Sequence, residues 1–151
     1  MSGVKIATVA DSIAALSVSG VTIKDIDGIP EEVHKRVCPI MFPDPDGFVT
    51  NLAVTPQSFG AGTAGKNDVR YTLNYLFLFC PVGSGRYLAD NAVGLVNKAV
   101  LILNALIAND AVTGSIDIEP KLGDFGVLQD AAGNQFEGVR VLIDVHEFYE
   151  V

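Results

Sequence analysis

The segment CPVGSGR, from Cys80 to Arg86, places a thiol, a glycine and an arginine in the order C-x-x-G-x-x-R. A strand-like run precedes it and a helix-like run follows. Such a loop suits cysteine-dependent hydrolysis of phosphate esters, because amides at a helix N-terminus bind anions and lower the pKa of a thiol. Arg86 would hold the phosphate through two hydrogen bonds. Thirty-four residues before Cys80, the segment FPDPDGF offers Asp46 as a general acid.

The neighbours of this segment argue against that chemistry. Phe79 stands where such phosphatases have a histidine, and Tyr87 stands where they have a serine or threonine. Their parallel sheet with helical crossovers also disagrees with the strand-rich C-terminal third of this chain. We therefore interpret Cys80 as a small buried side chain at a turn from strand to helix. A phosphatase that uses Cys80 and Arg86 remains the remote alternative.

The other polar motifs are equally weak. FPDPDGF lacks the spaced oxygen ligands and late glutamate of a calcium loop, and FGAGTAG lacks the G-K-[ST] ending of a phosphate loop. His34 and His146 have no cysteine or serine partner at a telling spacing, which favours surface or interface roles. Cys38 and Cys80 are too few for a zinc site or a disulfide framework. We predict no enzyme, and no catalytic, cofactor-binding or metal-binding residue.

Composition limits the class of protein. The chain has 151 residues, 49% of them hydrophobic, so we expect a single packed domain over residues 1–151. A net charge of −8 argues against nucleic-acid binding, because a nucleic-acid binder needs positive charge to neutralise phosphates. The mean hydropathy of +0.36 is high for a small soluble domain and indicates apolar surface hidden against other subunits.

A membrane location is not expected. The longest apolar run, Tyr75 to Val82, is too short to cross a bilayer. Asp11 interrupts the apolar stretch near the N-terminus, so we predict no signal peptide. The low cysteine count fits a reducing intracellular compartment.

Two elements dominate the predicted secondary structure. Residues 69–80 alternate with an aromatic face throughout and a second face that turns apolar halfway, as in a central strand beneath a helix. Residues 86–109 form one long helix whose apolar stripe is so wide that we expect it to be covered on more than one side. Shorter elements are a helix over 4–18 and strands near 21–26, 33–42, 48–55, 115–119, 125–128 and 135–149.

The order of these elements predicts an α+β fold, with a mainly antiparallel β-sheet packed by one long helix and a short N-terminal helix. We interpret the last strand as an edge or pairing strand. Residues 56–68, PQSFGAGTAGKND, show no periodicity and predict a long functional loop.

A resemblance follows from the order of the segments. They are TVADSIAAL, VTIKDIDGIPEEVH, CPIMFPDPDGFV, VRYTLNYLFLFCPVGSGR, LADNAVGLVNKAVLILNALI and GVRVLIDVHEFYEV. In length, order and texture, over nearly the whole chain, they resemble the tail-terminator (tail-completion) proteins of long-tailed bacteriophages and related gene-transfer particles.

The resemblance implies a structural virion protein that forms a homohexameric ring. The ring would cap the tail tube, end its polymerisation and join it to the head-side connector or stopper protein. The protein would be made in the host cytoplasm and reside at the tail–neck junction of the virion, with no cofactor. The acidic balance fits a lumen through which DNA passes without specific binding. The alternative is another neck or tail structural protein, a connector stopper or a tail-tube subunit.

Two groups of residues are candidates for the contacts of such a ring. We expect axial contacts to the tail-tube and head-side partners from the 56–68 loop and the PDPDG turn, through Phe59, Lys66, Asp44 and Asp46. We expect lateral contacts between subunits from the corner before the long helix, from that helix and from the last strand, through Arg86, Leu101, Phe148 and Tyr149.

Overall fold

The computed structural model describes residues 5–34, 37–56, 66–82, 88–108 and 116–150. In chain order the elements are α1 (Ile6–Ala14), β1 (Thr22–Ile23), a 3-10 turn (Ile26–Gly28), β2 (Ile40–Pro43), β3 (Val49–Pro56), β4 (Lys66–Pro81), α2 (Leu88–Ala108), β5 (Ile116–Gln129) and β6 (Gln135–Glu150).

Six strands form one sheet in the order β1-β2-β4-β6-β5, with β3 also paired to β4. Every pairing is antiparallel except that of β1 with β2. Two helices accompany this sheet, so the predicted α+β class is confirmed.

β2 and β3 follow one edge of β4 as a single interrupted strand. β2 pairs with residues 75–78 of β4 and β3 pairs with residues 67–73. Between them, residues 44–48 leave the sheet, and the backbone of Asn74 bonds to both sides of the gap, to Asp44 and Phe48. The PDPDG turn is therefore an excursion within an outer strand, and its two ends are fixed to the centre of the sheet.

β4 is the central strand and separates two apolar clusters, as its two faces predicted. On the helix face, Tyr71, Leu73, Tyr75 and Phe77 join α1, α2 and the inner side of β6. On the opposite face, only the second half of β4 is apolar, where Leu76 and Leu78 pack with Val33, Ile40, Phe42 and Phe136. The first half of that opposite face carries polar side chains, and it becomes the groove described below.

α2 packs on the sheet through one stripe only. Leu95, Ala99, Ile102 and Leu106 are buried at helical spacing. The predicted second covered side is absent within the described part of the chain, because Val96, Val100 and Ile107 are each more than two-fifths exposed. The sequence pattern could not separate these two stripes, since both are apolar and lie side by side on the helix.

Several predicted ends of strands and loops differ from the structure. Pro56 and residues 66–68, which were predicted to lie in the 56–68 loop, belong to the paired strands β3 and β4; residues 57–65 lie outside the described part. Ile26 begins a 3-10 turn instead of continuing a strand. The predicted strands at 115–119 and 125–128 are one long strand, β5, with an irregularity between Leu122 and Phe125.

The last strand is not an edge. β6 pairs with β4 along its whole length and with β5 as far as Glu147. Its alternation of apolar and polar residues is the same as that of an edge strand with one covered face. Only the pairing partners distinguish the two positions.

Candidate functional site

Cys80 lies inside β4, not in an open phosphate loop. Its thiol donates a hydrogen bond of 3.2 Å to the carboxylate of Glu137, the residue opposite it on β6. A carboxylate at this distance disfavours a bound phosphate, because like charges repel. Arg86, the proposed phosphate clamp, lies outside the described residues.

Asp46 is far from Cys80. The excursion that carries Asp46 is fixed to Asn74, and Cys80 is six residues further along β4. At the rise of a strand, this is a separation of about 20 Å. A general acid must reach the leaving group directly or through one water, so this arrangement does not bring the two predicted groups together.

A polar groove of about 610 Å³ covers the first half of the sheet on the face opposite the helices. β3, β4, β5 and β6 all contribute to its lining. On its floor, the His146 ring contacts the carboxylate of Asp68, and the Arg70 guanidinium lies 3.7 Å from the same carboxylate. Both contacts are to the same oxygen of Asp68, Oδ1.

A second group of polar contacts, around Asp144, lies beside the contacts of Asp68. The Thr72 hydroxyl donates a 2.6 Å hydrogen bond to Asp144, and Lys121 lies 2.8 Å from the other oxygen of that carboxylate. Burial by itself raises the pKa of Asp144, but the hydrogen bonds from Lys121 and Thr72 and the charge of Lys121 outweigh it and hold the pKa low. The groove floor is a set of mutually neutralised pairs, an arrangement suited to a hydrated surface.

No metal cluster and no membrane helix are found in the described residues. Within them, no three histidine, cysteine or acidic side chains meet in a way that could hold a metal ion. Among the same residues, no helix is long and apolar enough to cross a bilayer.

The 44–48 excursion, the region proposed for axial contacts, has one inward and one outward carboxylate. Asp44 is only 5% exposed; it forms an ion pair with Arg140 on β6 and accepts a 2.9 Å hydrogen bond from the backbone N–H of Asp46. Asp46 itself is exposed at the tip. Asp44 thus shapes the turn, and Asp46 is the carboxylate that a partner would meet.

The remaining predicted contacts are only partly described. Phe59 and Arg86 lie outside the described residues, and nothing is described of the side chains of Lys66, Phe148 and Tyr149, although their backbones lie in β4 and β6. Leu101 is exposed on α2, which is compatible with its predicted role between subunits.

α2 carries a second apolar stripe, which the sequence predicts to be covered through Val96, Val100, Leu103 and Ile107 and which Val93 extends. Its members recur at alternating intervals of three and four residues, which is the heptad spacing of a helix that packs against another surface. All are exposed or only half buried, and we call them the α2 seam: Val93, Val96, Val100, Leu103 and Ile107.

Two sheet edges also carry exposed apolar side chains that the sequence did not single out. On β3 these are Leu52 and Val54, and on β5 they are Phe125 and Val127. The available signal was the two-residue spacing within each pair, which becomes meaningful only when the strand is known to lie at an edge.

Comparison with models of known protein families finds no match, and comparison with curated proteins finds none either. The function must therefore be inferred from the surfaces of the molecule.

Proposed function

We propose that this protein is a tail terminator, a structural subunit whose homohexameric ring caps a phage-type tail tube, ends its polymerisation and joins it to a head-side connector. The observation that carries the proposal is the α2 seam. Four of its five aliphatic side chains are exposed and the fifth, Leu103, is half-buried, whereas the neighbouring stripe of Leu95, Ala99, Ile102 and Leu106 is buried. Uncovered apolar surface of this kind is typical of a subunit that is completed by its neighbours.

The polar groove supports the same role. It lies on the face of the sheet opposite the helices, so a ring closed through helices and sheet edges would leave this face open. Asp68 and Asp144 are held by basic partners there, while Asp117 and Glu119 on β5 add acidic charge at its rim. The four carboxylates outnumber the cations Arg70 and Lys121 beside them, so a hydrated wall of this composition repels DNA.

The 44–48 excursion supports an axial contact. It projects from the sheet near the centre of β4, and the ion pair of Asp44 with Arg140 fixes its base. A tip fixed in this way can meet a partner with little loss of conformational entropy. Asp46 at the tip is the residue through which we expect the turn to recognise the tube or the connector.

The first experiment examines the ring. Native mass spectrometry and electron microscopy of the purified protein are expected to show a six-fold ring, alone or at the end of tail tubes. Unlimited growth into tubes by this protein alone would favour the tail-tube alternative. A strict monomer at high concentration would contradict any ring protein.

The second experiment examines termination. Purified protein is added to polymerising tail-tube subunits, and tube lengths are measured by microscopy. We expect tubes to stop growing and to carry a cap at one end. Asp46→Lys is expected to weaken capping while leaving the ring intact, whereas Glu31→Lys, at an exposed position outside the excursion and the sheet edges, serves as the charge control.

The phosphatase alternative has its own test. Activity on an aryl phosphate that disappears in Cys80→Ser would overturn the structural role. Serine keeps a hydrogen-bond donor to Glu137, so this substitution tests the nucleophile with little change in packing.

A further inference from the structure

The sheet ends in two unlike edges, and the difference between them indicates how the copies are joined. One outer strand is β5, next to the α2 seam. On the opposite side the outer strands are β1, beside β2, and β3, which among the described residues pairs only with β4. Each edge displays apolar side chains, and the two edges lie at opposite ends of the same sheet.

β3 lacks the charged residues that protect many exposed edge strands. Its sequence, VTNLAVTP, contains no charged residue, although the chain has 18 acidic and 10 basic side chains. Leu52 is 53% exposed and Val54 is 49% exposed. Natural edge strands avoid pairing with other chains through charges, prolines and bulges. In β3 a bulge at Asn51 and Leu52 and a proline at the end still leave an exposed, uncharged stretch around Ala53 and Val54.

β5 offers the complementary surface. Phe125 pairs with Val139, whose side chain lies in the core beneath the helices, so Phe125 and Val127 project on the helix face. The α2 seam lies on the same side of the molecule. The buried stripe of α2 has the seam on one side and Lys98 on the other. The Lys98 ammonium donates a hydrogen bond to the carbonyl of Ser19 beside β1. The seam therefore faces the opposite side of the sheet, where β5 lies. The seam and β5 together bound an apolar shelf at this edge.

Charge decides between the possible occupants of this shelf. β5 carries three acidic residues, Asp117, Glu119 and Asp124, against one lysine. Pairing of β5 with another β5 would set like charges opposite each other, which is unfavourable. β3 brings no charge and two apolar side chains, so it fits the shelf without this repulsion.

Strand direction and face agree with this choice. β3 is antiparallel to β4, β4 to β6, and β6 to β5, so β5 runs opposite to β3. A second copy with the same strand directions would therefore set its β5 antiparallel to β3 of the first. Val54 lies at the level of Val69 and Phe125 at the level of Phe77, eight residues along β4, so the strands of such a ring are inclined to its axis, as in a closed barrel. Val54 lies opposite the core residue Val69, so it projects on the helix face, as Phe125 and Val127 do.

From these contacts we infer that β3 of one copy adds to β5 of a second copy, with Leu52 and Val54 seated beneath the α2 seam of that copy. The contact joins two different surfaces, so repetition yields a ring when the rotation closes. This strand contact supplies the lateral contact of the proposed ring. Only the closure of repeated contacts into a ring rests on the proposed function.

Cross-linking tests this contact directly. Leu52→Cys and Val127→Cys are placed on separate chains of a Cys38→Ser/Cys80→Ser background, co-expressed, and treated with a short bismaleimide, which tolerates a small shift in register. We expect a cross-linked dimer in the mixture and none with either variant alone. A chain that carries both cysteines should give a ladder of species up to the full ring. Val54→Cys with Phe125→Cys is a second pair, which tests the same contact at another position along the two strands.

The controls separate this inference from the proposed function. Val37→Cys mixed with Leu52→Cys should give no cross-link, since Val37 is 42% exposed but lies on the segment that covers the other face. Cross-linking of Val127→Cys alone, or a ring in which neither pair reacts, would overturn the strand contact and leave the terminator role standing. Cross-linked rings that fail to cap tail tubes would uphold the contact and overturn the terminator role. A strict monomer would overturn both.

Discussion

Gly138 shows how a single residue holds the sheet together. β4 and β6 approach so closely there that a Cβ on Gly138 would overlap the carbonyl oxygen of Phe77. Its cross-strand partner Gly126 on β5 has open space around the corresponding position. Only the first of these two glycines is therefore required by close packing of the backbone.

We predict that Gly138→Ala lowers the free energy of unfolding by about 3 kcal/mol, because either the backbone or the strand pairing must shift. Gly126→Ala, its matched control, should change stability by no more than about 0.5 kcal/mol. Urea unfolding followed by circular dichroism measures both. Equal effects of the two substitutions would contradict the close approach at Phe77.

Asp130 organises the turn between β5 and β6. It also links this turn to Val33, a member of the apolar cluster on the face opposite the helices. Its carboxylate accepts hydrogen bonds of 2.8 Å from the backbone N–H groups of Val33 and Asn134. Burial by itself raises the pKa of Asp130, but the hydrogen bonds from Val33, Asn134 and Ala132 outweigh it and hold the pKa below the ordinary value of 3.8.

This shift predicts the direction of a pH effect. The unfolded chain binds the proton more readily than the folded one, so the stabilisation is present above the ordinary pKa and is lost as pH falls through the lower folded-state value. Asp130→Asn should cost about 1–3 kcal/mol at pH 7, because it sets an amide N–H against a backbone N–H. The cost should shrink in acid. Urea unfolding from pH 7 to pH 2.5 measures this, with exposed Asp124→Asn as the control; a constant difference would contradict the assignment.

At the scale of an element, α1 is attached to the sheet by one buried carboxylate. Glu147 on β6 is 2% exposed and accepts a hydrogen bond from the Tyr71 hydroxyl. The backbone nitrogen of Lys5 donates to the same carboxylate and lies 2.9 and 3.1 Å from its two oxygens. Lys5 precedes the first residue of α1, and no side chain of its own caps that helix. The negative charge therefore lies where the helix dipole favours an anion.

Glu147→Gln is predicted to lower the free energy of unfolding by about 1.5–3 kcal/mol, the range for a hydrogen bond to a charged group. Hydrogen exchange should also become faster across residues 6–14. Glu119→Gln removes the same charge from an exposed site on β5 and should leave both measurements nearly unchanged. Slow exchange in α1 of the Glu147 variant would show that the helix is held by its apolar side alone.

At the scale of the whole molecule, the exposed α2 seam predicts self-association. Val100→Lys should shift the protein from ring to monomer, because it places a charge in an apolar contact, yet it should alter the unfolding free energy by no more than about 0.5 kcal/mol. Val37→Lys is the matched control, since the two valines are 43% and 42% exposed. Sedimentation velocity distinguishes ring from monomer. Dissociation by both variants, or by neither, would remove the seam from the contact.

Much of the fold was predictable because it depends on local periodicity. The two-residue alternation in 69–80 indicated a central strand with one fully apolar face, and the 3.6-residue period indicated α2. The change of character halfway along β4 predicted a second cluster on the opposite face, which Leu76 and Leu78 form with Phe136. The α+β class followed from the order of these elements.

The candidate surfaces were less predictable because they depend on which strands are neighbours. β6 was interpreted as an edge or pairing strand and pairs on both sides, while β5 on one side and β1 and β3 on the other are the outer strands. Leu52 and Val127 look like ordinary strand residues until that order is known. Asp44 and Asp46 appeared equivalent in the sequence, but pairing with Arg140 turns one inward and leaves the other at the tip.

The sequence by itself determined the elements, their apolar faces, the acidic balance and the weakness of the C-x-x-G-x-x-R motif. These properties arise from residue types at short range, where the period of a helix or a strand places side chains on one face. Tertiary structure alone decided that Cys80 faces Glu137, that only one of two apolar stripes on α2 is covered, and that β3 and β5 remain at the edges. Each of these depends on contacts between residues far apart in the chain, which no local pattern records.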